Sequence, residues 1–347
     1  MSRQGGRKTL IRRIEIGAAA VLGAAVVLYG VHLYRENKAV EAQLAAREAV
    51  SEGQERLPAF GSDTLEFNGK TYKRNSYVKA ILCMGVDRTG SMQEATTSGF
   101  GGQSDGLFLV AQDTARNALK ILMIPRDTMT EITLTDLSGN VLGKDVQHLT
   151  LAYAYGDGKE KSCEYMQEAV SDLMGGLKID YYMAVDTDVI SILNDAVGGV
   201  TVTVPTEGME KKNPKFIYGS TITLHGKEAE QFVRYRDIEK SHSALYRMDQ
   251  QTEYMEQFFA AAQQQAKTNS NLVADMFSSI EEYMITDMGR DLYLKMGMDA
   301  LESGGLSGDS FYTVPGQGVT TARYDEFYPD FDGLTNIILE LFYRETS

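Results

Sequence analysis

Three apolar runs, each joined to charged residues, constrain the fold of this chain more than any other feature. YVKAILCMGVDR (77–88), SDGLFLVAQD (104–113) and ALKILMIPRD (118–127) carry apolar residues on both faces of an extended chain instead of alternating. Strands of that kind are buried on two sides, as in a sheet covered by helices in an α/β protein. The rest of the pattern agrees. YYMAVDTDVISILNDAVGGVTVTVP reads as strand, helix, Gly-Gly break and strand, HGKEAEQFVRYRD as a short helix, and RMDQQTEYMEQFFAAAQQQA as a longer one. NLVADMFSSIEEYM and FDGLTNIILELFYRE are two further predicted helices with a strand, DSFYTVPG, between them. Asn68-Gly69 in TLEFNGKTYKRN marks a hairpin turn. A chain of 347 residues has ample material for a core. One α/β domain from about Asn75 to the end accommodates all of these runs.

In open α/β sheets, ligands collect outside the carboxyl ends of the strands. Asp87 and Arg88 follow the first run, and Arg126 and Asp127 follow the third. Asp105 stands at the start of its own strand, so it joins them only if that strand runs antiparallel. The expectation is therefore a mixed central sheet. Two converging carboxylates, Asp87 and Asp105, suit Mg²⁺, which takes one or two carboxylates together with waters and substrate phosphate oxygens. Capping of a helix by Asp87 and of a turn by Asp105 is the structural alternative. The glycine-rich SGFGGQSDG lacks the spacing of a P-loop.

Acidic residues outnumber Lys and Arg by 48 to 34, for a net charge of −14. That balance excludes nucleic acid as the main partner, because such a surface needs a basic footprint. Against this background RYRDIEKSHSALYRMDQQ (234–251) places Arg234, Arg236 and Arg247 close together. Guanidiniums so gathered suit a phosphate or carboxylate ligand, or they pair with Asp237 and Glu239 at the surface. Gln251, four residues after Arg247, shares its helix face. Met248, Met255, Phe259 and Ala262 make a neighbouring apolar stripe that reads as core. Arg234 and Arg236 are two apart and cannot share a face of one helix, so they can serve one anion only if the helix ends about there, and the polar run IEKSHS agrees. Cys83 and Cys163 lack metal-type spacing, and Cys83 reads as a buried thiol.

Ahead of these elements, the stretch Ile14–Tyr34 is close to the ~20 residues that cross a bilayer as a helix. Arg3, Arg7, Lys8, Arg12 and Arg13 precede it. The expectation is a single-pass anchor in the cell membrane with a cytoplasmic N-terminus and the main domain outside. The chain then divides into a tail (1–13), a transmembrane helix (14–34), a stalk (35–74) and the main domain (75–347).

The ordered series LCMGVDR, QSDGLFLVA, MIPRDT, LAYAYGDG, IDYYMAVD, AVGGVTVTVP, HGKEAEQFVRYR and RMDQQ, after the apolar N-terminal stretch, resembles the LytR–CpsA–Psr family of membrane-anchored glycopolymer transferases. The resemblance covers the chain from about Tyr77 onward. It implies an extracellular α/β catalytic domain that joins a polyprenyl-pyrophosphate-linked anionic glycan donor to a peptidoglycan acceptor through a phosphodiester. It also implies that Asp87 and Asp105 hold Mg²⁺ and that Arg88, Arg126, Arg236, Arg247 and Gln251 grip the diphosphate, with Arg234 close by. The catalytic set is then Asp87, Asp105, Arg126, Arg236 and Arg247. Three positions depart from the family pattern: His148 stands where many members have Lys, Ala244 where they have Asp, and Gln250 where they have a second Arg. His148 can still donate to phosphate, with a charge that depends on pH. Such a transfer is an in-line displacement at phosphorus, where positioning and charge stabilisation dominate. Its energy arrives in the donor's pyrophosphate. Either Asp87 or Asp127 would serve as base, unless Asp127 simply orients Arg126. Two other functions fit the same residues: a polyprenyl-pyrophosphate hydrolase, with water as nucleophile, and a non-catalytic envelope sensor that binds the lipid without turnover.

Overall fold

The structure is a computed structural model that describes residues 3–92, 96–237, 243–321 and 324–346, with side chains of 3–27 and 243–246 outside the description. The chain divides into two compact units, Met1–Ala49 and Val50–Ser347.

Helix α1 (Arg3–Glu55) begins in the first unit and ends in the second. Strands β1 (Thr64–Phe67) and β2 (Lys70–Arg74) form the expected hairpin. Its turn places Asn68 and Gly69 at φ of 50° and 74°, the left-handed pair that a two-residue turn needs. Strands β3 (Val78–Val86), β4 (Ser104–Asp113) and β5 (Ala118–Met123) follow, then a hairpin of β6 (Met129–Thr135) and β7 (Val141–His148). Next come α2 (Leu151–Ala154), α3 (Glu160–Leu173), β8 (Tyr181–Asp186), α4 (Asp188–Ala196) and β9 (Val200–Thr203). Strand β10 (Thr221–Leu224), α5 (Lys227–Arg234), α6 (Ser243–Ala266) and α7 (Leu272–Ile280) lead to β11 (Met284–Thr286) and α8 (Arg290–Leu301). Strands β12 (Phe311–Thr313), β13 (Gly316–Thr320) and β14 (Asp325–Pro329), then α9 (Phe331–Phe342) and β15 (Tyr343–Thr346), complete the chain.

The central sheet has six strands in the order β11-β8-β3-β4-β5-β12. Strand β3 runs parallel to β8 and antiparallel to β4, and β4 runs antiparallel to β5. The sheet is therefore mixed, as the position of Asp105 required. Both of its faces are covered, which explains the unbroken apolar runs. Leu82, Met84, Leu109 and Leu122 meet Met166 and Val170 of α3 and Ile338 and Phe342 of α9 in one core. Ile81 and Cys83 pack on the other face with Met288 and Met296.

Some elements differ from the sequence reading. The end of the run NLVADMFSSIEEYM leaves the helix and enters β11, which pairs with β8. The last residues of FDGLTNIILELFYRE form β15, held by pairing with β2. In both places a partner strand distant in sequence outweighs local helical pattern.

The expected membrane anchor is corrected. Among the described residues no helix is long and apolar enough to cross a membrane. Positions 14–27 of the expected span lie outside the residues whose side chains are described. In the described part only Leu28–Tyr34 precedes Arg35, after which the same helix continues through charged RENKAVEAQLAAREAVSEGQE. The single-pass location, the cytoplasmic N-terminus and the membrane as a partner through this helix thus lose their support.

Candidate active site

The mixed topology brings the charged residues to one edge of the sheet. Asp87 follows β3, Asp105 lies at the start of antiparallel β4, Arg126 follows β5 and Asp186 ends β8. The second arginine group comes from helices. Arg234 is the last residue of α5, and the helix ends before Arg236, as the paired use of these arginines required. Arg247 stands near the start of α6.

These side chains are already paired with one another. The Arg234 Nη2 donates to Asp87 Oδ1 at 2.6 Å, and its Nη1 donates to Glu230 Oε1 at 3.0 Å. Arg126 Nη1 donates to Asp105 Oδ1, while its Nε lies 3.3 Å from Asp127 Oδ1. Arg247 donates from Nη2 to the Asp105 carbonyl at 2.8 Å and sets Nη1 3.6 Å from Asp105 Oδ2. Arg247 is only 7% exposed. Burial lowers its pKa, Asp105 opposes that shift, and Arg126 and Arg236 lower it further. Two guanidiniums therefore meet at Asp105, and Arg236 lies within the field of Arg247. The buried Nε of Arg247 has no hydrogen-bond partner among the described residues, whereas that of Arg126 faces the Asp127 carboxylate without hydrogen-bond geometry. Unsatisfied buried donors of this kind are rare, and here the Arg247 Nε marks room for an additional acceptor.

Behind this charged edge lies a cavity of about 260 Å³. Its walls are almost wholly apolar, with Phe108, Met183, Val185, Ile190, Met255 and Phe258 among them, whereas Asp87, Asp105, Asp186, Arg234, Arg247 and Gln251 are its charged and amide groups near the sheet edge. Strand parity explains most of the wall: Cys83 and Gly85 on β3, with Asp87 just beyond it, and Met183 and Val185 on β8 alternate along the chain, so one face lines the space. On α6, Arg247, Gln251, Tyr254, Met255 and Phe258 recur at helical spacing and line it too. Met255, expected in plain core, is thus part of the cavity. The cross-strand pair Gly85 and Gly106 adds backbone without side chains, which leaves the cavity open beside the carboxylates.

Not every expected site residue meets this centre. Arg88 turns away and donates to the carbonyls of Ser91 (3.1 Å) and Gly158 (3.5 Å). Arg236 sits 3.8 Å from Asp325 Oδ2 on β14, near enough to Arg247 to influence its titration. His148 Nε2 is 3.0 Å from the Asp325 carbonyl. Gln250 is buried, with its Nε2 3.5 Å from Thr206 Oγ1. The side chain of Ala244 lies outside the described residues.

The donor set bears on the metal. Asp87 and Asp105 line the cavity together with Asp186, each of the first two paired with an arginine, and no group of three His, Cys, Asp or Glu placed to hold a metal occurs among the described residues. Carboxylate oxygens such as those of Asp87 and Asp105 are the donors a hard cation takes when substrate oxygens and waters complete its shell.

Asp186 was missed by the sequence reading, although it ends the run YYMAVD just as Asp87 follows LCMGV. It is 1% exposed and lines the cavity. Its Oδ1 accepts from the backbone N–H of Asp188 and Val189 at the start of α4, and its Oδ2 has no partner among the described residues. Burial raises its pKa from the ordinary 3.8 to about 6, against the N–H groups of Val189, Asp188 and Gly90. A raised carboxyl pKa adds stability that is complete below the unfolded value and lost as pH rises through the folded one. The shift from 3.8 to about 6 corresponds to at most about 3 kcal/mol. Urea unfolding at pH 4 and pH 7.5 is expected to show Asp186→Asn gaining on the native chain at the higher pH, because the amide keeps the helix cap without ionising. Equal gains at both pH values would contradict this account of Asp186.

The fold is a mixed α/β sheet that presents paired Asp and Arg beside an apolar cavity. The LytR_cpsA_psr family model matches residues 30–339, and the chain belongs to that family. It is 28% identical over 238 residues to the polyisoprenyl-teichoic acid–peptidoglycan teichoic acid transferase TagV of Bacillus subtilis, which covers 67% of this chain and 53% of that relative. It is 29% identical over 241 residues to TagU of Bacillus cereus, a transferase of the same designation, with 69% of each chain covered. The crystal structure of B. subtilis TagV superposes with a TM-score of 0.58 at 20% identity, covering 77% of this chain and 97% of that one. At such identity the superposition establishes the fold.

Proposed function

We propose that this protein is a cell-wall glycopolymer transferase that moves a polyprenyl-diphosphate-linked anionic glycan onto peptidoglycan and leaves a phosphodiester link. One observation carries the reading: an apolar cavity of about 260 Å³ lies directly beside a cluster of guanidiniums and carboxylates. A prenyl tail fits the first part and a diphosphate the second. Family membership and the names of TagV and TagU support the same reaction class.

In this reading Arg126 and Arg247 turn their bidentate forks from Asp105 onto the diphosphate oxygens, with geometry that Lys cannot reproduce. Arg236 extends the clamp toward the glycan side. Arg126 is oriented by Asp127, 3.3 Å from its Nε. Mg²⁺ held by Asp87 and Asp105 would neutralise charge on the phosphate oxygens. An acceptor sugar hydroxyl attacks the phosphorus next to the glycan, and its proton passes to Asp87, whose side chain is 52% exposed. The bond between that phosphorus and the bridging oxygen breaks, and polyprenyl phosphate departs with the electron pair.

The test is a transfer assay on the full chain with a polyprenyl-diphosphate oligosaccharide and peptidoglycan fragments, with products read by mass spectrometry. A phosphodiester-linked glycan on the acceptor, formed with Mg²⁺ and reduced at least about a hundredfold by chelation, is the expected result. Glycan phosphate released into water, with none on the acceptor, would favour a hydrolase. Donor binding with no turnover under any condition would favour a sensor.

A further inference from the structure

The C-terminal hairpin brings a set of residues to the clamp that neither the motifs nor the cavity accounts for. Strand β14 bridges Thr128 through Phe327, and the Phe327 N–H donates to the Asp127 carbonyl at 2.9 Å, so the hairpin lies against the segment that carries Arg126. Asp325 then sits 3.8 Å from Arg236, and its Oδ1 accepts from Thr320 Oγ1 at 3.0 Å. Tyr324, one residue earlier, is 63% exposed. Its backbone is fixed nonetheless. Its N–H donates to Thr321 Oγ1 at 3.0 Å, and its carbonyl accepts from the Thr321 N–H and hydroxyl, both at 2.8 Å. Its ring meets the His148 ring edge to face with centroids 5.7 Å apart, while His148 Nε2 reaches the Asp325 carbonyl at 3.0 Å.

A single exposed aromatic residue is ordinary. An exposed ring braced by an imidazole, beside a carboxylate and a guanidinium, is a different object, because it offers an apolar platform next to hydrogen-bonding groups. Pyranose rings have that same division between C–H faces and equatorial hydroxyls. The placement is also directional. The cavity is lined by β8, β3, β4 and Met123 at the end of β5, and the hairpin packs on the segment just after β5, beyond the clamp. A lipid with its tail in the cavity and its diphosphate at Arg126, Arg236 and Arg247 would therefore direct its first sugar toward Tyr324.

We infer that Tyr324, with His148 and Asp325, forms a saccharide subsite for the donor sugar next to the diphosphate, an inference that rests on the proposed transferase reading. The residue that sets specificity is Tyr324, through stacking, and Asp325 and His148 take hydroxyl hydrogen bonds. The subsite selects the glycan and leaves the lipid diphosphate grip unchanged.

The test measures equilibrium binding of the full chain to two probes of equal tail length, polyprenyl diphosphate and polyprenyl diphosphate carrying one N-acetylglucosamine. The native chain is expected to prefer the sugar-bearing lipid. Tyr324→Ala is expected to weaken that binding about tenfold and leave the sugar-free lipid unaffected, with Tyr324→Phe close to the native chain. Equal effects of Tyr324→Ala on both lipids, or none on either, would overturn the subsite. Weakened binding of a soluble peptidoglycan fragment alone would overturn its assignment to the donor. A native chain that binds neither lipid would remove the transferase reading itself, a result separate from the other three.

Discussion

Arg247→Ala is expected to lower glycan transfer by about two to three orders of magnitude, the usual consequence of removing one preorganised charge-stabilising donor. Arg247 is nearly buried, donates to the Asp105 carbonyl and stands beside Arg126 in the same field. Its Nε has no hydrogen-bond partner among the described residues, and its fork reaches the Asp105 carboxylate beside the cavity. The loss should fall mainly on kcat if the guanidinium meets charge that develops on the departing phosphate, and on KM as well if it also grips the ground-state diphosphate. Arg247→Lys is expected to recover little, since an ammonium keeps the charge and loses the fork. The Asp105 carbonyl left without its donor costs roughly 1–3 kcal/mol, so thermal unfolding should be recorded for each variant. A folded Arg247→Ala protein with native transfer rates would remove Arg247 from the clamp.

Gly106→Leu is expected to have an effect of similar size by a different route. Gly106 pairs with Gly85 across β3 and β4 and lines the cavity. A Cβ at this position would meet Gln251 Nε2 at 3.9 Å and Gly85 at the same distance, an ordinary contact. Gly106→Ala should therefore remain close to the native protein. A leucine side chain goes further and takes cavity space beside Arg247 and Gln251, where a tail must pass to place its diphosphate at the clamp. Transfer from a long-chain donor should fall about a hundredfold or more, as when a misplaced group displaces the reacting centre. A donor analogue with a very short tail should be much less affected. An equal loss on both donors would point to damage at the charged centre and against the tail-binding role of the cavity.

The two variants probe the parts of the molecule that differed most in how well the sequence announced them. The charged edge was legible because strand ends are local: Asp87 follows an apolar run, Arg126 follows another, and antiparallel pairing alone decides whether Asp105 joins them. The helix break between Arg234 and Arg236 was legible for a similar reason, since two residues on one helix cannot share a face at that spacing. The cavity was not legible. Its wall residues, such as Met183, Val185 and Met255, have the same apolar character as core, and only the three-dimensional gap between α6 and the sheet distinguishes them. Asp325 and Tyr324 reach the clamp through a hairpin that joins β14 to Thr128, about two hundred residues away in the chain, and no local pattern encodes that meeting. The N-terminal stretch shows the converse error. An apolar run preceded by basic residues has the composition of a membrane anchor, yet among the described residues no helix is long and apolar enough to cross a membrane. Arg88 likewise matched a motif position, while its carbonyl partners at Ser91 and Gly158 draw it away from the cavity.

The most direct measurement is a crystal structure of the full chain with polyprenyl diphosphate bound. The account predicts phosphate oxygens within hydrogen-bonding distance of Arg126 and Arg247, with the Arg126 fork released from Asp105, and prenyl carbons between Met183, Val185 and Phe258. A diphosphate bound elsewhere, or a tail lying outside this cavity with the guanidiniums still paired to Asp105, would contradict it.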